Sequence, residues 1–158
     1  RGDIQIVGAP SRVFRNRLLH RLYLKARPVE YLRGPAYVRR ILRSKFGIGV
    51  SASQSVRYYT SDRLTHYLAF GKLYLAYRFP GCEDLFTDGT HFVTYDGVDD
   101  LMAKIEFYLV NQELCEEIGK QGQQKVLGDY NAVNMVGMML EIVSTGHSSK
   151  FPWVEVYS

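Results

Sequence analysis

Cysteine is scarce in this sequence: Cys82 and Cys115 are the two in 158 residues. Two thiols make no disulfide framework. Both fall in helix-like stretches, so they are expected as buried thiols in a reducing compartment, the cytoplasm. No apolar run approaches the roughly 18 residues that a membrane span needs, so none is expected. His20, His91 and His147 have no cysteine or carboxylate at ligand spacing, so no metal site is expected, and no resident cofactor either. No Ser or Cys lies in a nucleophile-elbow pattern, which leaves catalytic residues unassigned. Internal repeats and low-complexity tracts are absent. Residues 1–10 read as a strand and a turn, not as a signal peptide with a cleavage site. The chain opens on Arg1 instead of Met and is expected to be a piece of a longer protein.

Acidic residues are scarce in one half only. Residues 1–72 carry 15 Lys/Arg against 3 Asp/Glu, and residues 73–158 carry 5 against 13. The net charge of +4 hides this division. A basic half suits phosphate, nucleic acid or an anionic surface, or it is a set of solvated helix faces. Twelve tyrosines beside it could stack on RNA bases, but they mostly alternate with apolar core positions. No recognised nucleic-acid signature appears. With 46% hydrophobic and 23% charged residues, the chain has the composition of a globular domain and not of a disordered segment. Its length suits one domain, which buries about 70% of the unfolded surface.

Short apolar runs closed by Gly, Pro and Asp punctuate the first hundred residues. They predict strands at Ile4–Val7, Val29–Leu32, Ile48–Ser53, Leu73–Tyr77 and His91–Tyr95. Helical periodicity predicts helices over Arg12–Lys25 and from Pro35 to about Phe46. Another starts at Thr60-Ser61-Asp62, turns Leu64, Tyr67 and Leu68 inward and closes at Gly71. A short helical segment ends near Phe86. Three helices follow, over Val98–Leu109, Glu113–Leu127 and Ala132–Val143. The first has Asp99 and Asp100 opposing its dipole; the third carries Val133, Val136, Leu140 and Val143. Phe151–Ser158 reads as a strand-like tail. Strands alternating with helices imply an α/β fold, a Rossmann-like parallel sheet of about five strands with flanking helices. Ligands of such sheets bind at the carboxyl ends of the strands. That selects the loops Gly8–Ser11, Leu32–Pro35, Ser53–Asp62 and Tyr77–Glu83.

Within Ser53–Arg63 a strand end meets a helix N-terminus, whose unpaired N–H groups and positive dipole end can hold an anion. Thr60 and Ser61 add hydroxyls, and Arg57 adds charge. Asp62 counts against an anion because it supplies negative charge to the same helix end. An N-cap in a polar loop explains the same residues.

The stretch Arg63-Leu64-Thr65-His66-Tyr67-Leu68-Ala69-Phe70-Gly71-Lys72-Leu73-Tyr74-Leu75 resembles the R-x-x-E-x-L-A-x-G-x-x-x-L segment of GT-B glycosyltransferases. The likeness is to group 1 and its spore-maturation-protein-like branch. Ile48-Gly49-Val50-Ser51-Ala52-Ser53 is similar to the preceding family strand, and Phe79-Pro80-Gly81-Cys82-Glu83-Asp84-Leu85-Phe86 to the following F-P-G-x-E-x-L-F turn. Asp88-Gly89, Asp96 to Leu101, and Ile118, Gly122 and Val126 continue the order. The resemblance spans about residues 3 to 143. It implies the carboxy-terminal domain of a two-domain enzyme, over residues 1–145 with a tail at 146–158. That domain binds a nucleotide-diphosphate sugar, whose sugar goes to an acceptor. The diphosphate would lie at Thr60–Arg63, the base at Tyr31–Gly34, and the donor sugar near Glu83. The donor-binding residues on this reading are Tyr31, Leu32, Arg33, Arg57, Tyr59, Thr60, Ser61, Arg63, His66, Gly81 and Glu83. His66 and Tyr58 stand where the family has two glutamates, the first of which holds the ribose.

The family domain starts with a further strand and helix, and an acceptor domain precedes it; neither is matched here. The tail Trp153-Val154-Glu155-Val156-Tyr157, or a second copy of the chain, is a candidate to fill the missing strand's slot. The alternative is a non-catalytic α/β module whose basic face docks RNA or a protein partner.

Overall fold

The computed structural model describes residues 32–51, 53 and 55–154. The expected Ile4–Val7 strand, the Arg12–Lys25 helix and all of the Val29–Leu32 strand except Leu32 lie outside them. Leu32 itself is irregular. The chain divides into two units, residues 1–40 and residues 41–158. Of the first, residues 32–40 are described.

Helix α1 covers Gly34–Arg43, with Pro35 in its first turn where a missing N–H costs nothing. It stops three residues before the expected end. The Ser44 hydroxyl and N–H both donate to the Ile41 carbonyl, at 2.6 and 3.0 Å. This local bond competes with the next helical turn. Strand β1, Phe46–Gly49, follows at once, so the expected strand at Ile48–Ser53 lies two residues too late. Val50, read as part of that strand, is 53% exposed.

Helix α2 covers Asp62–Ala69 and strand β2 covers Leu73–Tyr77. Between them Gly71 (φ 66°) donates to Leu68 O at 2.8 Å, and Lys72 donates to Tyr67 O at 2.9 Å. This bond pair closes a helix on a left-handed residue. Helix α3 covers Cys82–Leu85 and strand β3 covers Val93–Tyr95. The three strands are parallel in the order β1-β2-β3, with Phe46 opposite Leu73 and Leu75 opposite Val93. The described sheet therefore holds three of the five expected strands.

Alternation along β2 sorts the core onto two faces. Leu73 and Leu75 join Val93, Ile105, Tyr108 and Ile118 on one side. Tyr74 and Ala76 join Leu64, Leu68, Phe86 and Phe92 on the other. A strand buried on both faces is the mark of a parallel sheet between helix layers. The layers come from α2, α4 (Val98–Val110) and α5 (Gln112–Asp129).

Helix α6, Ala132–Thr145, starts at Asn131, whose side chain accepts the Asn134 N–H at 2.9 Å. Its apolar stripe at Val133, Val136, Leu140 and Val143 stays 54–85% exposed. The tail differs from expectation. Phe151–Val154 is a turn closed by Val154 N–H to Phe151 O at 3.1 Å, not a strand. Phe151 is buried and Trp153 packs against the core, which takes these residues out of the sheet. Glu155–Ser158 lie outside the described residues.

Candidate functional site

The site is built at the carboxyl ends of β1 and β2. From β1 the chain runs through the loop at 50–61 into α2, and from β2 through Arg78–Gly81 into α3. Ser61 is the N-cap of α2, with extended backbone (φ −94°, ψ 149°). Its hydroxyl makes no cap bond and lies 3.5 Å from the Tyr74 hydroxyl, so the hydroxyl is not spent on the helix end. Leu64 N–H returns to Ser61 O at 2.9 Å. Thr60 is half-buried beside the cap, and Asp62 and Arg63 are exposed in the first turn. His66 is exposed one turn further on, in the last turn of α2. Tyr59 is 41% exposed.

The two loops interlock through Tyr58. Among the described residues it is the one non-glycine with a left-handed backbone, at φ 61°. Its N–H donates to Pro80 O at 3.0 Å, and its hydroxyl donates to Asp84 Oδ2 at 2.9 Å. Its ring covers Gly81, where a Cβ would collide with it. Gly81 itself has φ 78°, so the turn needs glycine for both backbone and space.

Arg57 also serves this joint. Its guanidinium donates to Asp84 Oδ2 at 3.1 Å and lies 4.7 Å from the Tyr58 ring centre. The two donors hold the Asp84 carboxyl below the usual carboxylate range, Tyr58 first. Glu83, on the same turn, is exposed. Its own backbone N–H and the Cys82 thiol, 3.1 Å from Oε2, keep its carboxyl below the ordinary value. Of the expected site residues, Arg57, Tyr59, Thr60, Ser61, Arg63 and His66 share one loop and helix, with Gly81 and Glu83 on the facing turn. Tyr31 lies outside the described residues; Leu32 is half-buried and Arg33 exposed, at the entry to α1.

Asp84 and Arg78 escape the sequence reading. Asp84 follows Glu83 directly, and nothing in its neighbours marks it. Arg78 pairs with Asp96 at 2.9 Å and Asp88 at 3.3 Å. Asp88 accepts the Thr94 hydroxyl and N–H, at 2.6 and 2.8 Å. The pairs tie Arg78 to two carboxylates at the carboxyl ends of β2 and β3. Beside the joint, Arg57, Asp84, Lys125, Asp129, Lys150 and Trp153 line an open groove of about 490 Å³.

A family profile described as glycosyl transferase-like matches residues 2–141. The chain belongs to the glycosyl transferase-like family. Solved structures agree on the fold, which is that of a GT-B carboxy-terminal domain. The Anabaena protein HepE in complex with UDP-glucose superimposes at a TM-score of 0.62 and 15% identity, over 81% of this chain and 36% of its own. HepE with UDP and glucose gives 0.61 at 16% identity, over 80% and 34%. A glycosyltransferase from Rickettsia africae gives 0.58 at 18% identity, over 79% and 33%. This glycosyl transferase-like chain thus spans about a third of the length of these structures. No curated protein sequence matches it. Among the described residues no helix is long and apolar enough to cross a membrane. No cluster of three His, Cys, Asp or Glu side chains that could hold a metal occurs among them either.

Proposed function

We propose that this chain is the donor-binding half of a glycosyltransferase that moves a sugar from a nucleotide-diphosphate sugar to an acceptor. One observation carries the reading: the N-terminus of α2 opens at the carboxyl end of the parallel sheet, with Thr60, Ser61 and Arg63 around it. A helix N-terminus acts as roughly half a positive charge. Aimed at a diphosphate, it favours the charge that develops as the sugar leaves. The complex of HepE with UDP-glucose supports a donor of this class. Residues 1–145 are the nucleotide-sugar-binding domain and 146–158 its tail. Acceptor binding falls to protein outside this chain, so the chain alone binds donor without turning it over.

Within the site, Thr60 and Ser61 donate hydroxyls to the diphosphate, and Arg63 adds charge from the exposed face of the first turn. His66 stands one turn on and reaches a ribose hydroxyl through a ring nitrogen in place of a carboxylate. Glu83 approaches the sugar from the facing turn. Arg57 positions the loop through Asp84 instead of holding phosphate. Calorimetric titration with UDP, GDP and a short RNA tests the reading. Nucleotide binding weakened in Thr60→Ala and Arg63→Ala is the expected result. Salt-sensitive binding of RNA alone sinks it and favours a basic docking module.

A further inference from the structure

Tyr58 holds a left-handed backbone conformation, which disfavours any residue with a Cβ. Such a conformation persists only where the surroundings over-determine it. Three of its restraints come from the facing turn: Pro80 O, Asp84 Oδ2 and the bare face of Gly81. A fourth comes from the far end of the chain. The Trp153 ring lies 4.9 Å from the Tyr58 ring, tilted by 48°.

Trp153 is itself well seated. Its ring meets Phe151 edge-on at 5.9 Å, and Phe151 stacks on Tyr130 at 5.7 Å. The Tyr130 hydroxyl donates to Leu85 O at 3.0 Å, at the end of α3. Lys150 and Asp129 pair at 3.1 Å just before Phe151. Phe151 is buried and anchors the tail, whereas Trp153 is half-buried and faces the loop. Anchor and contact are therefore separate residues.

We propose that Trp153 is a positioning residue, clamping Tyr58 and through it the loop that presents Thr60 and Ser61 to the donor. This rests on the donor-binding reading for its ligand but not for its geometry. Tyr58 lies three residues before the cap, so a displacement of its backbone carries directly into Ser61. The clamp touches neither nucleotide nor sugar. It sets how often the loop is found in its binding shape, and the affinity falls in proportion when that fraction falls.

Trp153 is the sole tryptophan, so its fluorescence reports on the contact itself. The experiment compares the intact chain with Trp153→Ala and Trp153→Phe, well below the melting temperature of each. Amide hydrogen exchange at 55–61 is measured with UDP affinity and, in wild type, with fluorescence during the titration. An aromatic pair of ordinary strength corresponds to a twofold to roughly tenfold effect. Trp153→Ala is expected to speed exchange at the Tyr58 amide and weaken UDP by that factor. Trp153→Phe restores both, and UDP changes the wild-type emission. Unchanged exchange in Trp153→Ala overturns the clamp. So does faster exchange with unaltered UDP affinity, or a phenylalanine that rescues neither. If UDP fails to bind the wild type, the donor reading falls, and exchange at 55–61 still decides the clamp.

Discussion

The hydroxyl of Tyr74 occupies the space where a side chain on Gly49 would begin. Gly49 ends β1, and its carbonyl accepts the Tyr95 hydroxyl at 3.2 Å. Two tyrosines from β2 and β3 thus converge on one glycine at the sheet's carboxyl edge, directly beneath Ser61. Gly49→Ala forces the Tyr74 ring out of a packed site, which costs roughly 1–3 kcal/mol. Denaturant unfolding should show that loss. An alanine variant as stable as wild type would contradict the fit.

That edge also marks where the sequence was legible. Helix α2, its inward Leu64 and Leu68 and its closure at Gly71 follow from local rules: periodicity, a capping residue and a left-handed stop. The β1 register does not. Ile48-Gly49-Val50 looks equally strand-like shifted by two, and only the tyrosine rings seated over Gly47 and Gly49 decide it. Arg57 was legible as a cation near the helix start, but its partner Asp84 is 27 residues away on another turn. The apolar pattern of Phe151–Val154 suits a strand, yet Phe151 and Trp153 find ring partners outside the sheet. Long-range pairing decides each of these, and spacing along the chain carries no record of it.

Asp84→Asn tests the interlock of the two loops. Tyr58 and Arg57 both favour the ionised carboxylate, so its folded value lies below the unfolded one. Such a group contributes stability above its unfolded value and loses it as pH falls through the folded one. At neutral pH the variant should melt below wild type. The gap should close on acidification, once wild type protonates as well. A gap independent of pH removes the carboxylate from the joint.

Alkaline pH acts on different residues. Burial, then the neighbouring Tyr74 and Tyr77, pushes Tyr95 up to about 12. Burial and then Asp129 push Tyr130 to about 12. A raised value gives stability that is complete below the unfolded value of 10.0 and is lost as pH rises through the folded one. Tyr95→Phe and Tyr130→Phe each lose one hydrogen bond, about 0.5–1.5 kcal/mol at neutral pH. Between about 10 and about 12 that deficit should shrink. Circular dichroism melts across the range read it. A deficit that stays constant means the two hydroxyls ionise as freely folded as unfolded.

Cys82 and Cys115 give a last test, of the packing around α3 and α5. Both are buried, and burial is the main cause raising each thiol above its ordinary value. The Cys82 thiol also donates to Glu83 Oε2, and the Cys115 thiol lies 3.6 Å from Lys45 O. Only the thiolate attacks an alkylating reagent. A thiol hydrogen-bonded to a carboxylate ionises reluctantly, and a covered one meets reagent only when the fold opens locally. Native alkylation followed by mass spectrometry should therefore leave both residues unmodified while denatured chain takes up two labels. Because Cys82 directly follows Gly81, rapid native labelling confined to Cys82 means that the Pro80–Gly81 turn opens readily. In that event Tyr58 rests on a movable surface, and the interlock of the two loops cannot hold the α2 N-terminus in place.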